Sequence, residues 1–427
     1  MKVLLVYTNI NGFHDDNYSF GLASIASSAR KAGHEVKVII VNTVQCFQKI
    51  KDALFSFNPN VIGFSSVSSQ FSFVKDFAKE LKTMRPEIIV VCGGVHPTIW
   101  PECILETDAL DAVFIGESEL AFVEFLEKVA RKEPYQLCDN VAYVKQGLLF
   151  RNKCKGLIDN LDVLPFPDRE VYPYMETLEK TVYAPFHFSR GCPFPCTYCS
   201  NHAIAKANGR EKSSSRFPSP EYCIREIEET INNFKMIRTI AIVDDIFGLN
   251  KRWRDNFLDL YKKKIKIPFM CLLRADIVNE KFIKDLKNAG CYRISFGIES
   301  GNEYVRNEIM KRKMGTDAII NAFDLCRKYA IETNAINIIG VPGETEEMFL
   351  DTINLNRKIR PTSTGVNIFY PYHGTILGDY CFKNDLVDLK KLEDFSNERR
   401  DTVLNYPADW CDKLLYYHRE WLYVSEK

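Results

Sequence analysis

Short apolar runs and amphipathic stretches alternate along the first third of the chain. The apolar runs have the length of strands, and the amphipathic stretches carry apolar residues at helical spacing. The predicted strands are Lys2–Thr8, Glu35–Val41, Asn60–Val67, Ile88–Gly93 and Ala112–Gly116, and the predicted helices are Gly21–Ala32, Phe71–Thr83 and Leu120–Arg131. Such alternation predicts an α/β domain whose parallel sheet is covered by helices on both faces.

A second alternation begins at residue 182. Its predicted strands are Tyr183–Phe188, Thr239–Val243, Pro268–Leu273, Arg293–Gly297, Thr333–Ile339 and Gly365–Tyr370, with helices at Pro220–Asn233, Arg252–Lys263, Glu280–Asn288, Asp317–Tyr329 and Glu346–Arg357. Six strand–helix repeats predict a (βα)6 partial barrel, in which the working residues sit at the carboxyl ends of the strands.

The remaining segments interrupt this alternation. Residues 133–181 contain a predicted hairpin and a proline-punctuated extended stretch, and residues 377–427 are helical and rich in aromatic residues. We therefore expect a Rossmann-like domain over 1–132, a linker over 133–181, the barrel over 182–376 and a helical tail over 377–427. The tail either caps the barrel and shapes a pocket or packs on the outside of the barrel.

Composition and charge give no support for a nucleic-acid-binding, membrane-spanning or secreted protein. The 56 basic and 56 acidic residues give a formal net charge of zero, which offers no electrostatic reason to expect a nucleic acid partner. No apolar run approaches the ~20 residues that span a bilayer, and the amino terminus reads as a strand rather than a signal peptide. Fourteen cysteines in such a chain favour reduced thiols and a cytoplasmic location.

Three cysteines share one predicted loop. Cys192, Cys196 and Cys199 form a Cys-x3-Cys-x2-Cys pattern after the strand that begins at Tyr183. Thiolates suit iron–sulfur clusters and zinc. A [4Fe–4S] cluster normally takes four cysteines, so three would leave one iron open. A structural zinc site usually needs four ligands, and the nearby histidines lack finger spacing. The pattern therefore favours a cluster over zinc or unrelated buried cysteines.

This motif resembles that of the radical S-adenosylmethionine (SAM) superfamily, whose open iron binds SAM. The resemblance implies that Tyr198 lies near the adenine, Glu299 near the ribose, Arg274 near the carboxylate, and Asp244 or Asp245 near the amine. The resemblance also places Asn337, on the fifth strand, among the SAM contacts, and the segment beginning at Gly340 would cradle the adenine. The Gly-Gly-Glu motif of other members is absent, and each acid could instead form a salt bridge or cap a helix. The resemblance assigns no catalytic side chain, because the radical arises at the cluster.

The first third resembles the cobalamin-binding domain that precedes many radical SAM domains. The resemblance rests on the stretches Phe20–Ala26, Gly33–Val36, Gly93–Thr98 and Gly116–Glu119. It implies a flavodoxin-like sheet holding base-off cobalamin at the carboxyl ends of its strands. The candidate contacts there are Thr8, Asn9, Ser65, Ser66, Val67, Gly93, Gly94, His96 and Glu117. The alternative is a degenerate sheet kept as a scaffold.

The sequence departs from the cobalamin-binding pattern at the residue that would supply the lower ligand of cobalt. The Asp-x-His-x-x-Gly motif of methionine-synthase-like domains is absent; His14 lies in the corresponding loop but in another pattern. We interpret His96 as fixing its loop or contacting the nucleotide tail rather than binding cobalt.

The combined resemblance implies an enzyme with a [4Fe–4S] cluster, SAM and cobalamin as cofactors. The expected reaction is methylation of an unactivated carbon of a small molecule, by a 5′-deoxyadenosyl radical and methylcobalamin. The expected electron donor is an external flavodoxin or ferredoxin. Cyclisation or oxidative rearrangement without methyl transfer stays open, as does a cobalamin- or SAM-binding module without turnover.

Overall fold

The structure is a computed structural model that describes residues 1–10, 12, 18–181, 183–210, 213–393 and 398–426. The chain divides into two compact units. Met1–Thr181 and Ala203–Lys212 form the first, and Val182–His202 and Ser213–Lys427 form the second. Residues 133–181 thus fold with the first unit, while the finer four-part division stays a prediction.

The first unit is built on one sheet. Its strands are β1 (Lys2–Thr8), β2 (Glu35–Val41), β3 (Val61–Ser65), β4 (Ile89–Gly93), β5 (Ala112–Phe114), β6 (Val141–Lys145) and β7 (Leu148–Arg151). Their order is β2-β1-β3-β4-β5-β6-β7. The first five strands pair in parallel, and the predicted hairpin, β6 and β7, adds two antiparallel strands at one edge.

Helices cover this sheet because its strands are apolar on both faces. Residues 3–6 of β1 are each at most 1% exposed, as a strand buried between two layers requires. The helices are α1 (Phe20–Lys31), α2 (Phe47–Ser56), α3 (Phe71–Met84), α4 (Val95–Ile99), α5 (Glu119–Arg131), α6 (Tyr174–Thr181) and α7 (Asn201–Ala207). Ser19 begins α1 by accepting a hydrogen bond from the backbone N–H of Leu22.

The second unit carries a parallel sheet of six strands among the residues described. They are β8 (Tyr183–Phe186), β9 (Thr239–Ile242), β10 (Phe269–Leu273), β11 (Cys291–Glu299), β12 (Glu332–Ile339) and β13 (Ser363–Ile368). The strands lie side by side in chain order from β8 to β13. This is the topology expected of the predicted (βα)6 partial barrel.

Helices join and flank these strands. They are α8 (Pro220–Asn233), α9 (Lys251–Lys264), α10 (Glu280–Asn288), α11 (Thr316–Lys328), α12 (Glu346–Ile359), α13 (Ile376–Lys383), α14 (Leu389–Glu393), α15 (Ala408–Arg419) and α16 (Trp421–Glu426). One π-helical turn, Val305–Ile309, lies between β11 and α11.

The carboxyl-terminal helices pack beside β13, the edge strand of the second sheet. Trp410, Leu414 and Trp421 share one buried cluster with Val366 and Ile368 of β13. The indole N–H of Trp421 also donates to Thr364 Oγ1 at 3.2 Å. Covering an exposed strand edge is a common way to protect it from pairing with other chains. Helices α15 and α16 therefore pack against β13, and whether the tail also shapes a pocket stays a prediction.

Candidate functional site

The three cysteines lie on the loop that leaves β8. Cys196 is 6% exposed, whereas Cys192 and Cys199 are half-buried, and all three are free thiols. Burial raises the pKa of Cys192 to about 11 and that of Cys199 to about 12. Without a bound metal both thiols therefore keep their protons at neutral pH, and binding a metal cluster would release them.

Asp244 fastens the start of this loop. It is fully buried, and its Oδ1 accepts the backbone N–H groups of Phe188 at 2.6 Å and Ser189 at 3.0 Å. Those amides no longer extend the sheet, so β8 ends at Phe186 rather than at the predicted Phe188. Asp244 Oδ1 therefore clamps the start of the loop, while its buried Oδ2 has no hydrogen-bond partner, and its role as a SAM contact stays a prediction. Burial raises its pKa.

Asp245, the other predicted acid, is exposed. After burial, the charge of Asp245 is among the causes that raise the pKa of Cys192 and of Cys199. Its carboxylate therefore lies near enough to both thiols for their charges to interact. Asp245 is thus exposed near the cysteines, and which of the two aspartates contacts the SAM amine stays a prediction.

Glu299, Tyr198 and Arg312 form a buried network beside the cysteine loop. Arg312 Nη1 donates to Tyr198 Oη at 2.6 Å and lies 3.3 Å from Glu299 Oε1. Burial raises the pKa of Glu299, and the positive charge of Arg312 opposes that rise. Burial also works to lower the pKa of Arg312, but the charges of Tyr198 and Glu299 raise it overall. The network brings two predicted SAM contacts together through a residue that the sequence analysis missed.

Arg274, the predicted carboxylate contact, is already paired. Its Nε and Nη2 donate to the two carboxylate oxygens of Asp276 at 3.0 and 2.8 Å. Its guanidinium also stacks 3.7 Å from the ring centre of Phe194, inside the cysteine loop. Arg274 thus lies beside the cysteine loop, with its fork occupied by a protein carboxylate.

Asn337 on β12 and Gly340 just after it, two of the predicted SAM contacts, have different surroundings. Asn337 is fully buried; its Nδ2 donates to Gly365 O at 3.0 Å, and its Oδ1 accepts from Asn356 at 2.9 Å. Its side chain therefore joins β12, β13 and α12 by hydrogen bonds, and its assignment as a SAM contact stays a prediction. Gly340 has φ 80°, and its N–H donates to the buried Glu344 at 2.6 Å.

In the first unit, the predicted cobalamin contacts lie at the carboxyl ends of β1, β3 and β4. Thr8 Oγ1 donates to Ser65 O at 3.2 Å, and Ser66 N donates to Gly93 O at 2.9 Å. Gly94 adopts φ 101°, where a Cβ atom would lie 2.6 Å from Ser66 O. These residues share one end of the sheet, where Gly94 leaves no room for a Cβ atom.

His96 fixes the loop at that edge. Its backbone N–H donates to Ser66 O at 3.1 Å, and its Nδ1 lies 3.1 Å from Ser68 Oγ. Burial lowers its pKa to about 4, so the imidazole is neutral at neutral pH. Its buried Nε2 has no hydrogen-bond partner. These contacts agree with the interpretation of His96 as a loop-fixing residue.

The other predicted contacts of this edge differ in exposure. Val67 is 46% exposed, and Asn9 is buried. Glu117 Oε2 accepts the backbone N–H of Ile158 at 2.9 Å, so this carboxylate holds the segment that follows β7. His14 lies outside the described residues.

The residues present fit the expected cofactors by their chemistry. Three free cysteines on one loop are the soft donor set of an iron–sulfur cluster. Across the described part of the chain, no group of three or more His, Cys, Asp or Glu side chains is already arranged to hold a metal ion, so this fit rests on the donor chemistry. Asp244 Oδ2, Arg312 Nε and His96 Nε2 are buried without partners, as expected where polar ligands bind.

Two family models match the chain. Residues 186–355 match the Radical SAM superfamily, and residues 9–126 match the B12 binding domain. The first match contains the cysteine loop, Glu299 and Arg312, and the second contains the Gly93-Gly94 edge. No helix within the described ranges is long and apolar enough to cross a membrane.

Curated relatives and solved structures agree with these matches. The uncharacterized methyltransferase PH0819 of Pyrococcus horikoshii is 30% identical over 404 residues, covering 90% of this chain and 85% of the relative. The anaerobic magnesium-protoporphyrin IX monomethyl ester cyclase of Rubrivivax gelatinosus is 22% identical over 392 residues, covering 87% of this chain and 68% of the relative.

Among solved structures, the radical SAM methyltransferase TsrM of Kitasatospora setae shares the fold, with a TM-score of 0.75. The sequences are 14% identical, and the match covers 98% of this chain and 83% of that one. The two domains use a [4Fe–4S] cluster, SAM and cobalamin as their cofactors. The chain belongs to the family of radical SAM enzymes that carry an amino-terminal B12-binding domain.

Proposed function

We propose that this enzyme is a cobalamin-dependent C-methyltransferase that acts on an unactivated carbon of a small molecule. One observation carries the proposal: a relative named as a methyltransferase is 30% identical over 90% of the chain. That similarity extends through both the B12-binding and the radical SAM domains. When bound, the cluster and SAM supply a 5′-deoxyadenosyl radical, and cobalamin supplies the methyl group.

The side chains of the second unit hold and orient SAM in this proposal. Cys192, Cys196 and Cys199 would ligate the cluster and leave one iron for SAM. The accessible carboxylate of Asp245 would pair with the SAM amine, and Glu299 would accept hydrogen bonds from the ribose diol. Tyr198 would lie beside the adenine, and the backbone near Gly340 would line its far side.

The SAM carboxylate has two candidate partners. Arg274 is the predicted one, but Asp276 already occupies its fork. Arg312 has a buried Nε without a partner, which suits a ligand carboxylate. We therefore add Arg312 to the proposed site.

Cobalamin would bind at the small-residue edge of the first sheet. Gly93, Gly94, Ser65 and Ser66 allow backbone to approach the nucleotide tail closely. His96 would contact the tail or fix its loop, since its Nδ1 already faces Ser68. A flavodoxin- or ferredoxin-type donor would supply the electron for each reductive cleavage of SAM at the cluster.

Isotope-labelled SAM tests the proposal. The reconstituted enzyme is incubated with trideuteromethyl-SAM, reductant and a small-molecule extract, and products are analysed by mass spectrometry. A product carrying the trideuteromethyl group supports C-methylation. A product altered by ring formation and free of label contradicts it and supports a cyclase, the activity named for one relative.

A further inference from the structure

Two buried arginines converge on one sulfur of the cysteine loop. Arg274 Nη1 lies 4.0 Å from Cys196 Sγ, and Arg312 Nη1 lies 3.9 Å from the same atom. The exposed fractions are 3% for Arg274, 6% for Arg312 and 6% for Cys196. Because water is largely excluded, the interaction of the N–H groups with the sulfur is weakly screened.

Arg274 is held rigidly in this position. Both carboxylate oxygens of Asp276 accept from its guanidinium, and Nη2 also donates to Arg312 O at 2.7 Å. The ring of Phe194 lies against its face. A fork with these contacts has little freedom to turn away from Cys196.

Arg312 is also held in place, by hydrogen bonds from both of its Nη atoms. Its Nη2 donates to Gly297 O at 2.6 Å, while Nη1 binds Tyr198 Oη. The segment just before it is tied to the cysteine loop, because Thr197 Oγ1 donates to Ile309 O at 2.7 Å. The cysteine loop and the segment that carries Arg312 therefore keep a fixed spacing.

The surroundings of the other cysteines differ. Cys199 Sγ accepts from the neutral amide of Asn201 at 3.6 Å. Asp245 places negative charge near Cys192 and Cys199, whereas Cys196 faces two guanidinium groups. Asp276 and Glu299 offset part of the positive charge of the two guanidinium groups. The N–H groups directed at Cys196 Sγ therefore account for most of the interaction with this sulfur.

We propose that Arg274 and Arg312 are positioning residues that direct N–H groups at the Cys196 sulfur and so raise the reduction potential of the cluster. Adding one electron from an external reductant adds one negative charge, which spreads over the irons and sulfurs. Hydrogen bonds to a ligand sulfur stabilise that added charge and shift the potential upward. This effect requires only the bound cluster and does not depend on the substrate or on methyl transfer.

A redox titration of the full-length reconstituted protein tests this. Dithionite serves as reductant, and the reduced cluster is counted by electron paramagnetic resonance for the wild type, Arg312→Met and Arg274→Met. Loss of one charge-assisted hydrogen bond should lower the reduced-to-oxidised ratio at fixed solution potential about tenfold. Arg293→Met is the matched control, because Arg293 forms a similar fork with Glu332 at the start of β11.

Iron content and thermal unfolding are measured on every variant. If a methionine variant does not hold a cluster, Arg312→Lys and Arg274→Lys decide, because each keeps the charge and loses the fork geometry. A lowered potential in the lysine variants supports the proposal. The proposal is overturned if variants of Arg274 and Arg312 that hold the cluster keep the wild-type reduction potential. It is also overturned if Arg293→Met shifts the potential as much as they do.

Discussion

Glu299 combines a strained backbone with a buried charge. Its φ is 68°, and the residue is 8% exposed at the end of β11. A left-handed conformation costs a residue with a side chain about 1–3 kcal/mol and persists where the surroundings enforce it. Here a Cβ atom on Gly297 would lie 2.5 Å from Glu299 Oε1, so a larger residue there would displace this carboxylate. The geometry favours a functional carboxylate over a simple salt bridge.

We expect Glu299→Gln to weaken SAM binding about tenfold, because a neutral amide accepts weaker hydrogen bonds than a carboxylate. Equilibrium dialysis of SAM with the reconstituted protein measures this. Glu332→Gln removes an exposed partner of Arg293 and serves as control. Equal affinity in Glu299→Gln and wild type would exclude Glu299 from the SAM site.

Glu344 makes stability depend on pH. Burial raises its pKa to about 8 from an unperturbed 4.5, although N–H groups of Gly340 and Val341 oppose the rise. The folded chain therefore binds this proton more tightly than the unfolded chain. The stabilisation is complete below about pH 4.5 and is lost as the pH rises through about 8.

Glu344→Gln cannot ionise but keeps an acceptor for Gly340. We expect its urea midpoint to fall less than that of the wild type across the same pH window. The exposed neighbour Glu347 provides the control variant, Glu347→Gln. Parallel pH profiles for wild type and Glu344→Gln would show that Glu344 does not titrate there.

At the scale of elements, Asp244 links β9 to the cysteine loop. Asp244→Ala leaves two buried N–H groups without an acceptor, which should cost about 2–4 kcal/mol of unfolding free energy. We expect this variant to unfold earlier in urea and to retain less iron. Asp244→Asn keeps one acceptor oxygen and should lie between Asp244→Ala and wild type. Asp245→Ala should leave unfolding unchanged, and a matching loss in that variant would refute the clamp.

The Gly94 turn is the corresponding link in the first unit. Gly94→Ala adds a Cβ atom 2.6 Å from Ser66 O, so the loops after β3 and β4 must separate. We expect less cobalamin to remain after desalting, measured by its visible absorbance. Gly33→Ala has a similar backbone strain, φ 86°, with nothing within 4 Å of the added atom. Equal cobalamin retention in the two variants would contradict a role for this edge.

Most elements could be predicted because their apolar spacing is strong. The predicted β1 matches the structure at both ends. Helix α2 was missed although residues 47, 50, 53 and 54 carry a helical apolar pattern. β8 ends before the predicted Phe188 because Asp244, which follows β9, accepts the N–H groups of Phe188 and Ser189, a tertiary contact that strand propensity does not encode.

At the scale of the whole molecule, the cysteine motif and the strand ends located both candidate sites. Arg312 was not predicted, because it lies in an irregular segment between Lys311 and Lys313, which have φ 53° and 52°. A basic run of this kind suggests a solvated surface, yet Arg312 reaches a sulfur 116 residues away. Contacts between distant irregular segments leave no periodic signal in a single sequence.

We propose that this chain binds cobalamin and cleaves SAM in both ways that methyl transfer requires. The most direct test reconstitutes the protein anaerobically with iron, sulfide and hydroxocobalamin, desalts it, and adds SAM, dithionite and the small-molecule extract. We predict retained cobalamin absorbance and formation of both 5′-deoxyadenosine and S-adenosylhomocysteine. A protein that holds its cluster but retains no cobalamin and forms neither product would contradict the account.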